Sequence, residues 1–293
     1  MYYIIYPLLY LLSLLPFFIL YGLSDVLAFF LYHVFRYRRD VVANNLAIVF
    51  PEKSEAERKK IARQFYQYFT DSFVEILKFI SISKKEVEKR TTGTYDIINK
   101  LLDEGKSVNL LCGHQFNWEY ANLLYAYKLN VPFITVYLPI KNKAFDRIMY
   151  KMRTKFGAIL VSPNNFGSKL HQLFKTKYAF VLAADQSPAN ATSGYWINFF
   201  GRPTAFLHGP EKSAIRQKTA VVFVGFKRVR RGHYHFESVL LTDDATQNTK
   251  RGEITALYSD ALEKAIREDP ANYLWSHKRF KFEWKPEYGP ILG

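Results

Sequence analysis

Apolar positions run unbroken at the start of the chain, and the hydrophobic period then changes twice. From Met1 to Ser24 no residue is charged; the stretch reads YYIIYPLLYLLSLLPFFILY before Gly22, Leu23 and Ser24, and Asp25 carries the first charge. As one helix, these 24 residues would extend about 36 Å, enough to cross a hydrocarbon core of about 30 Å. Pro7 and Pro16 are tolerated in membrane helices, where neighbours re-satisfy freed backbone groups. A second apolar run, Val26 to Phe35, is too short to span alone and reads as interfacial or as half of a hairpin. A buried helix of a soluble core is the alternative, but aromatic and proline residues crowded together suit a membrane interface better.

Helical periodicity follows. Ser54-Glu55-Ala56-Glu57 is a capping box opening an amphipathic segment to about Ile80, and Ser83 to Glu86 offers a second box. Tyr95 to Glu104 predicts a short helix closed by Gly105. Short apolar, often β-branched runs then take over: Val108–Cys112, Phe133–Tyr137, Ile159–Ser162, Phe180–Ala184 and Ala220–Phe226, with His233–Leu241 as another strand. Helical stretches separate most of them, at Trp118–Lys128, Lys143–Phe156, Phe166–Lys175 and His208–Arg216; Thr249–Glu268 is a late helix ended by Asp269-Pro270. This alternation predicts an α/β fold with a central, largely parallel sheet flanked by helices. No repeat or linker divides the chain, so residues 1–35 read as a membrane anchor helix and 36–293 as one domain with its own core.

Composition narrows the partners. Lys+Arg number 41 against 26 Asp+Glu, a net charge of +15, which favours a membrane surface, a nucleic acid or an acidic carrier protein. The leader lacks the basic start and small-residue cleavage site of a signal peptide, and the first cationic cluster is Arg36, Arg38 and Arg39. By the positive-inside rule the bulk of the chain faces the cytoplasm. The single cysteine, Cys112, excludes an intrachain disulfide and a four-Cys zinc site. His233 and His235 share a strand face but have no third ligand in view, so no metal is expected there. Lys227, Arg228, Arg230 and Arg231 read either as a solvated hairpin end or as a docking patch for anionic lipid or carrier. Tyr273 to Lys281 mixes aromatics with cations, yet nothing else resembles a nucleic-acid module, and glycine-rich phosphate loops are absent. Nucleic acid is therefore not an expected partner, and no cofactor is expected.

The candidate chemistry lies after the first apolar strand, in Leu110-Leu111-Cys112-Gly113-His114-Gln115-Phe116-Asn117-Trp118-Glu119. In open α/β sheets ligands bind at the carboxyl ends of strands, where both His114 and Asp185 fall. A spacing of five separates side chains by about 140° on a regular helix. His114 and Glu119 can therefore meet only if the histidine sits on the turn before the helix and the glutamate in its first turn. A neutral imidazole there could take a proton from an attacking hydroxyl while a carboxylate on its other nitrogen fixed the tautomer. The spacing alone favours a structural histidine hydrogen-bonded near a helix start.

The wider pattern resembles the bacterial lipid A biosynthesis acyltransferases. His-Gln-Phe-Asn-Trp-Glu matches their His-x4-Glu box. Arg39, Asn44-Asn45-Leu46 and Phe50-Pro51-Glu52 resemble the segment after the anchor, and Glu75 the next helix. Val136-Tyr137-Leu138-Pro139 with Asn142, Asp146 and Arg153 resembles the second box. Asp185-Gln186 with Phe199-Phe200-Gly201 resembles the third, and Tyr273 to Lys281 the C-terminal signature. The resemblance implies a glycerolipid acyltransferase-like fold and an O-acyltransferase. It implies His114 as general base oriented by Glu119, with Arg153 and Asp185 essential, and Asn117, Tyr137, Asn142, Gln186 and Arg279 as candidate substrate contacts. It further implies an acyl carrier protein thioester as donor, an anionic lipid acceptor and a place on the cytoplasmic face of the inner membrane. Leu138 stands where the family commonly has Arg, which leaves a lipid A precursor, an amino-acid lipid and a lysolipid all open as acceptors. A non-catalytic scaffold that binds lipid or carrier is the alternative from another class.

Overall fold

The computed structural model describes residues 2–163 and 166–292. The leader is two helices, not one: α1 (Tyr2–Leu14) and α2 (Phe17–Phe29). The break falls at Leu15-Pro16, because proline drives the residue before it out of helical conformation. Pro7, by contrast, is carried inside α1. A π-helical turn, Phe30–Val34, prolongs α2, so Phe17–Val34 forms an 18-residue helix long and apolar enough to cross a membrane. The second apolar run is thus fused to the latter part of the first. After α3 (Arg39–Val49), the capping box opens α4 (Glu55–Phe79) as expected: Ser54 Oγ accepts from the Glu57 N–H, and the Glu57 carboxylate accepts from the Ser54 N–H.

The remaining elements are α5 (Lys84–Arg90), β1 (Thr91–Gly93), α6 (Asp96–Asp103), β2 (Val108–Cys112), α7 (Trp118–Lys128), β3 (Phe133–Val136), α8 (Lys143–Arg153), β4 (Ile159–Val161), α9 (Phe166–Leu173), β5 (Ala179–Ala183), β6 (Gly194–Phe199), β7 (Arg202–Leu207), α10 (Gly209–Gln217), β8 (Ala220–Arg230), β9 (His233–Thr242), α11 (Glu253–Glu268) and β10 (Ile291–Leu292). Seven strands form one sheet in the order β1-β9-β8-β2-β5-β3-β4. Only the β8–β9 pair is antiparallel. Every residue of β2 is buried, the expected consequence of a parallel strand covered on both faces. Leu110, Cys112, Val222 and Val224 pack against α7 on one side. Leu111, Val221 and Phe223 pack with α11 residues Tyr258 and Leu262 on the other.

Two expectations need correction. Sequence periodicity gave no strands between Ala184 and His208, yet β6 and β7 form a hairpin there. Its two-residue turn, Phe200-Gly201, holds φ values of +53° and +71°. Left-handed backbone suits Gly201 but is costly for Phe200. Burial compensates: the ring is 8% exposed against Phe50 and Phe199, and the Phe200 N–H reaches Glu263 Oε2 at 2.7 Å. The basic run at the β8–β9 end is not merely solvated either. Arg228 and Arg231 both bind Asp71 of α4 at 2.6 Å, and Arg228 is almost wholly buried.

Candidate active site

Parallel register places the site. Cys112 pairs with Ala183 across β2 and β5, so two residues past each strand end stand His114 and Asp185. The turn is tight: a Cβ on Gly113 would come within 2.6 Å of Leu262 Cδ1. Buried polar contacts fix the loop beyond. The Leu274 N–H reaches His114 O at 3.0 Å, the Phe116 N–H reaches Asn272 Oδ1 at 2.9 Å, and the Phe226 N–H reaches Gln115 Oε1 at 3.3 Å.

Asp185 is the carboxylate that meets the imidazole. Its Oδ1 lies 2.6 Å from His114 Nδ1, and its Oδ2 accepts from the His114 N–H at 3.0 Å. Burial alone would raise the Asp185 carboxyl, but the charge and hydrogen bonds of His114 outweigh it and hold it at about 2. Burial disfavours a charged His114, yet Asp185 outweighs that too, and His114 lies above its ordinary value. A neutral ring therefore carries its proton on Nδ1, toward Asp185. Its Nε2 is left as an acceptor, with Gln186 Nε2 3.3 Å away.

Glu119 does not take the orienting place expected of it. The local geometry is as anticipated: His114 lies on the turn, Asn117 caps α7 and Glu119 sits in its first turn. Its carboxylate, however, is engaged by Arg153, whose Nε lies 3.0 Å from both Oε1 and Oε2 and whose Nη2 also binds Oε1. Arg153 in turn lies over the Tyr137 ring at 5.6 Å. Two charge pairs thus stand side by side, His114–Asp185 and Arg153–Glu119.

Four residues expected to touch substrate do other work. Asn117 is 1% exposed; its Oδ1 caps α7 at the Glu119 N–H, and its Nδ2 donates to Glu75 at 2.9 Å. Asn142 caps α8 through the Ala144 and Phe145 N–H groups. The Tyr137 hydroxyl donates to Asp146. Arg279 is buried behind the site, donating to Ala205 O at 2.8 Å and lying over the Phe206 ring. Of the candidate substrate contacts, only Gln186 lies on the cavity wall. His277, within the C-terminal Tyr273–Lys281 segment, accepts from the Ser187 N–H at 3.2 Å, and burial pushes it down to about 4. Burial raises the Cys112 thiol, which disfavours the reactive thiolate form.

His114, Glu119, Arg153 and Gln186 face a cavity of about 1370 Å³, beyond the roughly 300–1,000 Å³ of ordinary small-molecule sites. Leu110, Ala121, Tyr125, Val224 and Phe226, from α7 and the sheet, line this cavity, as do Lys212 and Arg216 of α10. No group of three or more His, Cys, Asp or Glu side chains suited to a metal occurs among the described residues.

An imidazole at the strand ends beside a large, mainly apolar cavity is compatible with acyl transfer. The acyltransferase class is the one the comparisons give. The chain belongs to the bacterial lipid A biosynthesis acyltransferase family, whose profile matches residues 1–282. It is 20% identical over 250 residues to the lipid A biosynthesis palmitoleoyltransferase of Escherichia coli (strain K12), covering 83% of this chain and 79% of that protein. A lipid A biosynthesis acyltransferase of Shigella flexneri matches at the same identity and coverage.

Proposed function

We propose that this acyltransferase moves a fatty acyl chain from an acyl carrier protein thioester to a hydroxyl of a lipid A precursor at the cytoplasmic face of the inner membrane. His114 is the base. The observation that carries this reading is the 2.6 Å contact between His114 Nδ1 and Asp185, which turns Nε2 toward the cavity. The acceptor hydroxyl attacks the thioester carbonyl while Nε2 takes its proton; the carbon–sulfur bond then breaks, and the imidazolium returns that proton to the leaving thiolate. Asp185 stabilises the imidazolium between the two transfers. The apolar part of the cavity lining takes the acyl chain, and the +15 net charge suits an acidic carrier and a phosphorylated acceptor. Glu119 acts through Arg153, which it holds at the cavity wall.

A simpler acceptor, an amino-acid lipid or lysolipid, is the second reading. Leu138 favours it: this side chain, 73% exposed on the cavity lining, stands where the family commonly has Arg and offers no charge of its own to a sugar phosphate.

The test is transfer by the purified chain from acyl carrier protein to each acceptor class, with lipids of deletion cells read by mass spectrometry. His114→Ala is expected to lower kcat by about 10²- to 10⁴-fold with the fold intact. Retained turnover would remove His114 as base, and a missing amino-lipid with unchanged lipid A would select the second reading.

A further inference from the structure

The leader is fastened to the domain along its whole length. The Arg147 guanidinium of α8 lies 4.3 Å from the centre of the Tyr2 ring, and Lys151 Nζ donates to Tyr6 Oη at 3.1 Å. Near the kink at Pro16, Lys78 Nζ donates to Leu15 O at 2.9 Å. Further along, Ser24 Oγ donates to Asp71 at 2.7 Å, and Asp25 pairs with Arg231 at 2.6 Å. These ties run from residue 2 to residue 25, a contour of about 35 Å at 1.5 Å per residue. A hydrocarbon core is about 30 Å thick. If the leader crossed it, several of the domain's own charged side chains, Arg147, Lys151, Lys78 and Asp71 among them, would have to enter the hydrocarbon with it. Charged groups there are strongly disfavoured.

The opposite face of the same helices is bare and apolar. Ile4, Leu8 and Leu11 on α1, and Phe18, Val26 and Phe29 on α2, are all exposed, while Ser13, Leu20 and Ser24 on the inner face are buried. This face continues toward the site. The helix that carries Arg147 also carries exposed Phe145, and its Asp146 holds the Ile140 N–H at 2.7 Å. Ile140 and Leu138, both exposed, line the mouth of the cavity. Arg147 and Lys151 stand beside α1, where the phosphates of an anionic leaflet would meet them.

We propose that α1 and α2 lie in the plane of the membrane, sunk into one leaflet by their outer face, and that the cavity opens into that same leaflet at Leu138 and Ile140. A lipid acceptor then reaches His114 by lateral movement, without passing through water. The placement of the helices needs only the lipid acyltransferase class; the route of the acceptor rests on the function proposed above.

The experiment uses the full chain in vesicles of phosphatidylethanolamine and phosphatidylglycerol. An N-terminal epitope tag is followed by a protease site, and nitroxide labels sit at Leu8→Cys, Phe18→Cys or Phe29→Cys in a Cys112→Ala background. Protease added outside is expected to remove the tag from every molecule whose domain it can also reach. The three labels are expected at one shallow depth, judged by collision with oxygen against a polar nickel complex. A tag protected where the domain is accessible, a depth that runs through the bilayer centre, or a chain that does not sediment with the vesicles would overturn the proposal. Each readout is topological, so a failed activity assay leaves it standing, and the converse holds too.

Discussion

At the residue scale the site is a choice between two carboxylates. Both lie within reach of the His114 turn, and both are nearly fully buried. Arg153 decides between them: its guanidinium makes a forked pair with Glu119, and that geometry leaves Asp185 to the imidazole. The consequence is a pH dependence. As base, His114 works in its neutral form, and its value lies above the ordinary histidine value of about 6.5. kcat/KM is therefore expected to rise with pH through a limb above that value. Asp185→Asn removes the charge that raises it, so the limb moves to lower pH while the maximal rate falls. A wild-type limb at or below 6.5, or one unmoved in Asp185→Asn, would count against the pair. Glu119→Gln, which leaves the Asp185 contact in place but removes a second, smaller charge that raises His114, is expected to reduce the rate and to move the limb to lower pH by less than Asp185→Asn does.

At the element scale the His114 turn is held from two sides. Gly113 lets α11 approach, since any Cβ would press on Leu262, which is fully buried. Gly113→Ala is expected to cost about 1–3 kcal/mol by overpacking, read as a lower denaturant midpoint, and to reduce kcat by shifting the turn. On the other side α4 supplies Glu75, fully buried and receiving hydrogen bonds from Asn117 Nδ2, Tyr21 Oη and Tyr234 Oη at 2.9, 2.8 and 2.7 Å. Burial pushes its carboxyl up, while the three donors pull it back. Because Tyr21 belongs to α2 and Asn117 caps α7, this one side chain ties the leader to the helix that carries Glu119. Glu75→Ala would leave three donors unpaired, and a loss of about 3 kcal/mol or more is expected in chemical denaturation. A loss under about 1 kcal/mol would mean that water satisfies them.

At the scale of the whole molecule, the apolar runs fixed most of the sheet in advance, because buried parallel strands need continuous hydrophobic sequence: Val108–Cys112 is β2 to the residue, and Trp118–Lys128 is α7. The β6–β7 hairpin was not legible, since its turn carries a bulky Phe200 at a left-handed position that only tertiary burial makes tolerable. Nor was the leader's arrangement, for hydropathy counts apolar residues and is blind to Asp71 and Arg231 arriving from distant segments to meet Ser24 and Asp25. The sequence by itself determined the α/β class, the apolar leader, the cationic balance and the gathering of His114 and Asp185 at strand ends, all of which depend on local period or composition. Tertiary structure alone decided which carboxylate reaches the imidazole, because that depends on β2 and β5 being neighbours in register across 71 residues of chain, and strand order leaves no mark on any local pattern.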